Sequence, residues 1–315
     1  PGAGARGAGM ADAGTAVADD ASAPFYNPAG LVQITERRLA AETSQENRGL
    51  SDGSKLSSTH IGYAHPLSDG RNVLGFGYRA FGASDVLEER TYLVGAGRRL
   101  LLDRFKLDGV VSVGANLKML ERSFRTDGSA SDAFGDAGAT TGRADPVLSG
   151  NPSATAFGFD AGALYQFGPR LNKSVGAALI NANSPDIGVK DADKVGPSLK
   201  LGAAYRPTWG LVSGELRRTQ RLVGTADIEI ALGMERHFRI GYRSAFTLRG
   251  GYAQGSRGYK AMTAGASYNV GRFGFDYAFS FPIGNLSELD GSQRLGVTMR
   301  FGGAAATAAT PQTAR

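Results

Sequence analysis

Residues 272–281 read RFGFDYAFSF, and this stretch decides the fold class. Aromatic side chains stand at every second position, and polar or small side chains stand between them. A period of two places the two sets on opposite faces of one β-strand. The aromatic face consists of Phe273, Phe275, Tyr277, Phe279 and Phe281.

The same alternation recurs from about residue 37 to the end of the chain. Segments of roughly 8 to 14 residues alternate, and clusters of Gly, Asp, Asn, Ser and Pro separate them. Connections after odd-numbered segments are mostly longer, whereas those after even-numbered segments are mostly tight. We predict about fourteen strands, an even number, with both strand termini on the periplasmic side. Their centres lie near residues 41, 61, 76, 93, 114, 161, 178, 201, 214, 231, 248, 265, 276 and 297.

A soluble β-sandwich and a membrane β-barrel both produce such alternation. The polar faces here are rich in Gly, Ala and Ser, and the chain has 46 glycines. The apolar faces carry many aromatics, including Phe157, Phe159, Tyr165 and Phe167 in one segment. Small inward residues suit a crowded lumen, and outward aromatic residues suit contact with lipid. We therefore predict an all-β, transmembrane antiparallel β-barrel.

Composition excludes several classes of function. The chain has no cysteine, so neither a disulfide framework nor a thiolate metal site is available. The net charge is +6, but Lys and Arg are dispersed, which argues against a nucleic-acid partner. The histidines His60, His65 and His237 belong to no catalytic or metal-binding constellation, and no nucleophile or phosphate motif occurs. We expect a protein that is not an enzyme and has no cofactor or metal.

The first 35 residues differ from the alternating part of the chain. They are rich in Gly and Ala, show short helical potential from Ala11 to Asp20, and then lead into the first strand. A barrel of about fourteen strands encloses more space than its own inward side chains can fill. We predict an N-terminal plug (residues 1–35), a barrel (36–301) and a disordered tail (302–315).

Two parts of the chain resemble a known family. Residues 14–31, GTAVADDASAPFYNPAGL, resemble the N-terminal hatch of the FadL superfamily of long-chain fatty acid transporters. Residues 276–284, DYAFSFPIG, and 293–302, QRLGVTMRFG, are more similar to the PorV and PorQ branch of that superfamily. The resemblance implies a fourteen-stranded barrel whose hatch sits inside the lumen.

The resemblance also implies a role for one motif in the hatch. Asn27, Pro28 and Ala29, together with Phe25 and Tyr26, would lie where the hatch touches the barrel wall and would help to define the ligand route. The alternative is a rigid turn that leads into the first strand, because Asn-Pro favours turns.

The two adjacent carboxylates Asp19 and Asp20 offer a way to hold the plug. They could form ion pairs with inward arginines of the wall; the alternative is a solvated helix end. The candidate arginines are Arg79, Arg249, Arg294 and Arg300.

The last strand resembles the C-terminal assembly signal of outer-membrane barrels, through Gly296, Met299 and Phe301. This resemblance implies that the barrel-assembly machinery is a partner. We expect the bacterial outer membrane as the location, with a signal peptide removed before Pro1, and contacts with outer-membrane lipid and lipopolysaccharide.

Three functions are compatible with these features. The hatch motif predicts passive transport of hydrophobic small molecules, such as fatty acids, across the outer membrane. The C-terminal motifs predict a PorV-like scaffold or shuttle that binds secreted or surface proteins, or secretion machinery, at the cell surface. The polar composition of the outer loop 124–153 counts against capture of apolar ligands. A hydrophilic porin is disfavoured because the plug would obstruct conduction.

Overall fold

The structure is a computed structural model that describes ten ranges of the chain. They are residues 2–51, 53–84, 86–100, 108–125, 140–144, 150, 152–221, 224–241, 243–284 and 290–301. The tail 302–315 lies outside the described residues, as does most of the loop 124–153. The predictions about that tail and that loop therefore remain predictions.

Fourteen antiparallel strands form a closed barrel in which each strand pairs with its neighbours in sequence and β1 pairs with β14. All fourteen predicted centres fall within these strands, which confirms the all-β barrel. The strands are β1 (Arg37–Arg48), β2 (Leu56–Pro66), β3 (Asn72–Ala83), β4 (Leu87–Leu100), β5 (Gly109–Phe124), β6 (Ser153–Phe167), β7 (Lys173–Ile180), β8 (Ser198–Tyr205), β9 (Gly210–Thr219), β10 (Asp227–Arg239), β11 (Ser244–Gly255), β12 (Tyr259–Val270), β13 (Phe273–Gly284) and β14 (Gly291–Phe301).

The closing pair fixes the two ends of the barrel. Arg37 at the start of β1 lies opposite Phe301 at the end of β14. We call this end the terminal rim and the opposite end the far rim. The connections after even-numbered strands lie at the terminal rim and are mostly short, as the sequence predicts. Not every connection after an odd-numbered strand is long, because β3 extends to Ala83 and β4 begins at Leu87.

The two faces of the wall have opposite character. Large apolar side chains point outward and are exposed, for example Phe157 at 59% and Leu232 at 56%. Small and polar side chains point inward and are buried, for example Ser112, Ala178 and Ser213. An apolar surface that extends around the whole wall exceeds what soluble monomers expose. No helix in the described ranges is long and apolar enough to cross a membrane.

Residues 2–35, which we call the N-terminal segment, form short helices joined by turns. They are α1 (Ala5–Gly9), α2 (Ala23–Tyr26) and a 3-10 helix (Pro28–Gln33); further 3-10 helices are Pro169–Leu171 and Ser256–Gly258. The helix expected between Ala11 and Asp20 is absent from this described stretch. Ala11 and Asp12 have φ of 53° and 60°, in the left-handed region, and this turn interrupts a right-handed helix.

The segment packs tightly against the inward face of the wall. α1 contacts β11 to β14, and the 3-10 helix Pro28–Gln33 contacts β3 to β6. A Cβ atom added at Gly62, Gly162 or Gly176 would lie 2.3, 2.0 or 2.6 Å from an atom of the segment. The glycines of the inward face therefore leave room for the backbone of the segment.

Candidate functional site

Asn27 connects the segment both to itself and to the wall. Its fully buried amide donates to the carbonyl oxygen of Thr15 at 2.9 Å and to that of Ala163 on β6 at 3.0 Å. Its Oδ1 accepts from the backbone N–H of Ala29 at 3.0 Å, which caps the 3-10 helix beginning at Pro28. The structure thus shows the wall contact and the rigid turn at the same residue.

A second anchor lies on β9. The carboxylate of Glu215 accepts hydrogen bonds from the backbone N–H groups of Gly14 and Thr15, at 3.0 and 2.9 Å. Arg217 on the same strand lies 2.9 Å from Glu215 and 3.0 Å from Glu229 on β10. The buried carboxylate of Glu215 is therefore both paired and hydrogen-bonded, which offsets its loss of solvation.

Arg6 on α1 begins a chain of alternating charges across the lumen. Its guanidinium donates to Glu235 on β10 at 2.9 and 3.0 Å and also contacts Asp19. Glu235 is buried and accepts from Arg249 on β11 at 2.7 Å, and Arg249 lies 3.0 Å from Asp276 on β13. Five charges, from Asp19 to Asp276, thus connect the segment with three strands.

The predicted partners of Asp19 and Asp20 are not the observed ones. Asp19 pairs with Arg6 and, at 3.1 Å, with Arg206, and Asp20 lies 3.4 Å from Arg6. The segment supplies its own arginine, so the carboxylates already have a partner before they reach the wall. Arg206, the wall residue that pairs with Asp19, directly follows the end of β8.

The four arginines proposed from the sequence have other contacts. Arg249 binds Glu235, and Arg294 lies 2.9 Å from Glu46 while donating to the Gly2 carbonyl oxygen at 3.0 Å. Arg79 lies opposite His60 in the β2–β3 register. Arg300 donates to the Gly271 carbonyl oxygen at 2.9 Å, at the terminal rim. Arg294 therefore holds the segment by donating to the segment's backbone, and not by pairing with Asp19 or Asp20.

Tyr26 and Asp12 form a buried pair within the segment. The phenol of Tyr26 donates to Oδ1 of Asp12 at 2.7 Å, and the Gly2 N–H donates to Oδ2 at 2.8 Å. Burial opposes ionisation of the carboxyl, but the positive charges of Arg294 and Arg217 lower the pKa of Asp12 to about 2. Asp12 is thus ionised at neutral pH and ties the first turn of the segment to Tyr26.

The other predicted hatch and assembly residues lie in two separate places. The ring of Phe25 meets the ring of His60 edge-on, with centroids 4.7 Å apart. Gly296, Met299 and Phe301 lie in β14, where Phe301 pairs with Arg37 of β1.

A cavity of about 440 Å³ opens on the far-rim side of the segment, and we call it the vestibule. Ala8, Ala11 and Asp12 of the segment form its floor. Its wall includes the apolar side chains Leu56, Phe81, Tyr259, Ala261, Ala278 and Pro282. Its size is within the range of small-molecule sites, roughly 300–1,000 Å³.

Four of the five charges that line the vestibule form ion pairs with each other, and the fifth, Asp12, accepts hydrogen bonds from Tyr26 and Gly2. Arg217 lies 3.0 Å from Glu229, and Arg294 lies 2.9 Å from Glu46. Pairing offsets part of the desolvation cost that a ligand causes when it covers these four charges. No group of His, Asp and Glu suitable for a metal ion occurs in the described part of the chain.

The terminal-rim side of the segment has a different cavity, of about 120 Å³. Its lining is polar and includes Asp20, Ser22, Arg38, Asn269 and Thr298. Between the two cavities, the backbone N–H of Ala5 contacts the carboxylate of Glu42. α1 therefore separates a cavity of mixed apolar and polar lining from a polar one.

Sequence reasoning missed Arg6, Glu42 and Glu235 as residues that hold the segment. Glu42 and Glu235 occupy inward-facing positions of their strands. A charged residue on a face of small residues was therefore a signal that could have identified them as contacts of the segment. Arg6 is the only charge in the Gly- and Ala-rich run that opens the chain. A lone charge in such a run predicts a buried partner elsewhere.

Comparison by sequence finds nothing: no family model matches the chain, and no curated protein matches it. Solved structures do match. The monoaromatic hydrocarbon channel CymD has a TM-score of 0.63 at 13% identity, covering 95% of this chain and 98% of its own. The chain shares this fold.

Two further solved structures agree. The Ralstonia pickettii toluene transporter TbuX gives a TM-score of 0.62 at 16% identity, over 96% of this chain and 99% of its own. A Pseudomonas aeruginosa FadL homologue gives 0.59 at 14% identity, over 96% and 99%. At these identities the likeness is one of architecture.

Proposed function

We propose that this protein is an outer-membrane barrel that lets hydrophobic small molecules cross passively, with the N-terminal segment as its plug. The observation that carries this proposal is the vestibule, a cavity with both apolar and polar lining that has the segment as its floor. The residue ranges 1–35 for the plug and 36–301 for the barrel belong to the same proposal.

The wall supports the placement in an outer membrane. Its strands contain 8 to 16 residues, and a tilted strand crosses a bilayer with roughly 9–11. The outward face is apolar around the barrel, as contact with lipid requires. Lipopolysaccharide and the barrel-assembly machinery, the latter through Gly296, Met299 and Phe301, are the partners that this placement implies.

The fold and the hatch motif together favour the FadL superfamily. The solved structures with this architecture include proteins named as a monoaromatic hydrocarbon channel and a toluene transporter. A cavity of about 440 Å³ accommodates a single aromatic ring or part of an acyl chain. We therefore propose uncharged aromatic or long-chain aliphatic molecules as the substrates. The PorV/PorQ-like branch rests only on the motifs of the last two strands.

Passage requires the segment to move. Its backbone contacts wall glycines, and charge pairs connect it to Glu235 on β10 and to Arg206, which follows β8. A ligand in the vestibule therefore meets a floor held by hydrogen bonds and not an open channel. The motif Phe25-Tyr26-Asn27-Pro28-Ala29 belongs to the segment and contacts β6 through Asn27, so we propose that it controls this movement.

The other two functions have less support. The PorV-like scaffold is not favoured, because the solved structures with this architecture are named as channels and transporters of small molecules. The hydrophilic porin is disfavoured by the floor of the vestibule, which α1 helps to form.

The experiment measures accumulation of radiolabelled toluene and oleate by bacteria that make the full chain. Ala261→Trp fills the vestibule from β12, and Ala264→Trp adds the same bulk to the outward face of that strand. We expect the first variant to lose uptake of the transported probe and the second to retain it. Equal uptake by cells with and without the protein, for both probes, would contradict transport.

A further inference from the structure

The terminal rim carries a set of outward-facing basic side chains at regular intervals. Arg37, Arg98, Lys173 and Arg236 share the outward parity of β1, β4, β7 and β10, and all four are exposed. From β1 to β10 every third strand thus contributes one, at intervals of roughly 14 Å for strands about 4.8 Å apart. We call these four residues the basic ring.

Aromatic side chains lie beside the basic ring. Arg37 pairs across strands with Phe301, and Lys173 pairs with Phe167 on one side and Tyr205 on the other. The guanidinium of Arg236 lies 5.3 Å from the ring centroid of Phe238. Aromatic residues mark the level where a membrane-spanning barrel passes from hydrocarbon to headgroups. The ring therefore lies at headgroup level.

Although Arg98 interacts electrostatically with the carboxylate of Asp69, the basic ring forms no salt bridge in the described ranges, in contrast with the far rim. There Arg90 lies 2.7 Å from Glu88, Arg122 lies 2.7 Å from Glu89, and Arg257 lies 3.6 Å from Asp227. At the terminal rim further exposed arginines add to the positive charge: Arg71, Arg170, Arg239, Arg243 and Arg272.

Few acidic groups at this rim could neutralise that charge. Glu36 already faces Arg38 and Arg300, at 3.4 and 4.0 Å. The carboxylate of Asp69 accepts two backbone N–H bonds within its own turn. The terminal rim is therefore strongly positive at the depth of lipid headgroups.

We propose that the basic ring binds the phosphate groups of anionic phospholipids in the leaflet at the terminal rim. The charge is complementary, and the side chains lie at the depth where phosphates are found. Long Arg and Lys side chains can extend from the apolar wall to the phosphates. This inference rests on the proposed placement of the barrel in a membrane, with its strand termini toward the periplasmic leaflet.

The only tryptophan of the chain reports on this surface. Trp209 is 41% exposed, and its carbonyl oxygen accepts from the N–H of His237 at 3.1 Å, next to Arg236. The full chain is reconstituted in phosphatidylcholine bilayers containing phosphatidylglycerol or phosphatidylcholine brominated close to the headgroup. The ratio of Trp209 quenching by the two brominated lipids measures which of them is enriched next to Trp209.

We expect the brominated phosphatidylglycerol to be preferred about fivefold at Trp209, the effect of one basic side chain near an anionic surface. Arg236→Gln should remove that preference, with Lys173→Gln as a second variant if the first does not assemble. Arg218→Gln, an exposed outward arginine near the far rim, should keep it.

The outcomes separate the two proposals. Equal quenching by both lipids in the wild type overturns the lipid site alone. A preference that survives both Arg236→Gln and Lys173→Gln overturns the role of the basic ring. No quenching by either lipid overturns the placement of the wall in the bilayer, and the proposed function fails with it.

Discussion

Asn27 is the residue whose loss should release the N-terminal segment most directly. Asn27→Ala removes three hydrogen bonds of a fully buried side chain, at 2.9, 3.0 and 3.0 Å, to Thr15, Ala163 and Ala29. At a net value of about 1 kcal/mol each, the segment loses about 3 kcal/mol of stabilisation. Local opening should then become roughly 100-fold more frequent, since 1.4 kcal/mol corresponds to about a factor of ten.

Hydrogen exchange followed by mass spectrometry measures that opening in the full chain. We expect faster exchange for peptides covering residues 13–31 and no change in the strands distant from them. The matched control is Asn183→Ala, which removes two hydrogen bonds to the backbone of Phe157 and Phe159 on the far-rim side of β6. If Asn27→Ala and Asn183→Ala leave the exchange of residues 13–31 equally slow, Asn27 does not hold the segment.

Three other changes test the same packing. Gly62→Ala would place a Cβ 2.3 Å from a carbonyl oxygen of the segment, whereas at Gly214 the nearest atom is 3.4 Å away, so only the first should lower the yield of heat-resistant barrel on gels. Glu235→Gln leaves the guanidinium groups of Arg6 and Arg249 facing a neutral amide. The loss of about 3 kcal/mol or more of stabilisation should expose Arg6 to trypsin. An unchanged digestion pattern would count against the chain of alternating charges. Because the pKa of Asp12 is lowered to about 2, its ionised carboxylate stabilises the folded state above about pH 4, and this stabilisation is lost as the pH falls toward 2. The ¹³C chemical shift of the carboxyl carbon should titrate near pH 2, and a midpoint near 4 would refute the pairing.

The strands of the wall could be predicted from the sequence because each strand follows a local rule. Alternation in segments such as 272–281 depends only on which face meets lipid and which meets the lumen, so count and parity could be predicted. Strand β7 shows that this rule is local, because the alternation of its eight residues, Lys173–Ile180, is enough to place Lys173 on the outward face. Boundaries such as Ala83 and Leu87 depend on how far each hairpin continues to pair, and the pattern does not determine that.

The contacts of the segment could be predicted only in part. The small inward face predicted that something fills the lumen, but the pairing of Asp19 with Arg6 depends on a turn at Ala11 and Asp12 that no propensity predicts. Asn27 was identified through resemblance, and its three hydrogen bonds follow from a fold that brings Thr15 and Ala163 together. Long-range positions of this kind are set by packing and not by local sequence.

We propose that a hydrophobic molecule passes the barrel only when the N-terminal segment shifts. A Cβ placed at Gly202 lies 3.4 Å from the Cβ of Ala16, close to the spacing of about 3.5–4.5 Å that a disulfide needs. Because the chain has no cysteine, Ala16→Cys with Gly202→Cys creates one defined bond between the segment and β8. Uptake of radiolabelled toluene and oleate is measured with this bond oxidised and reduced. We expect uptake to fall to the background of cells without the protein on oxidation and to return on reduction. Equal uptake in both states would show that passage does not require the segment to move.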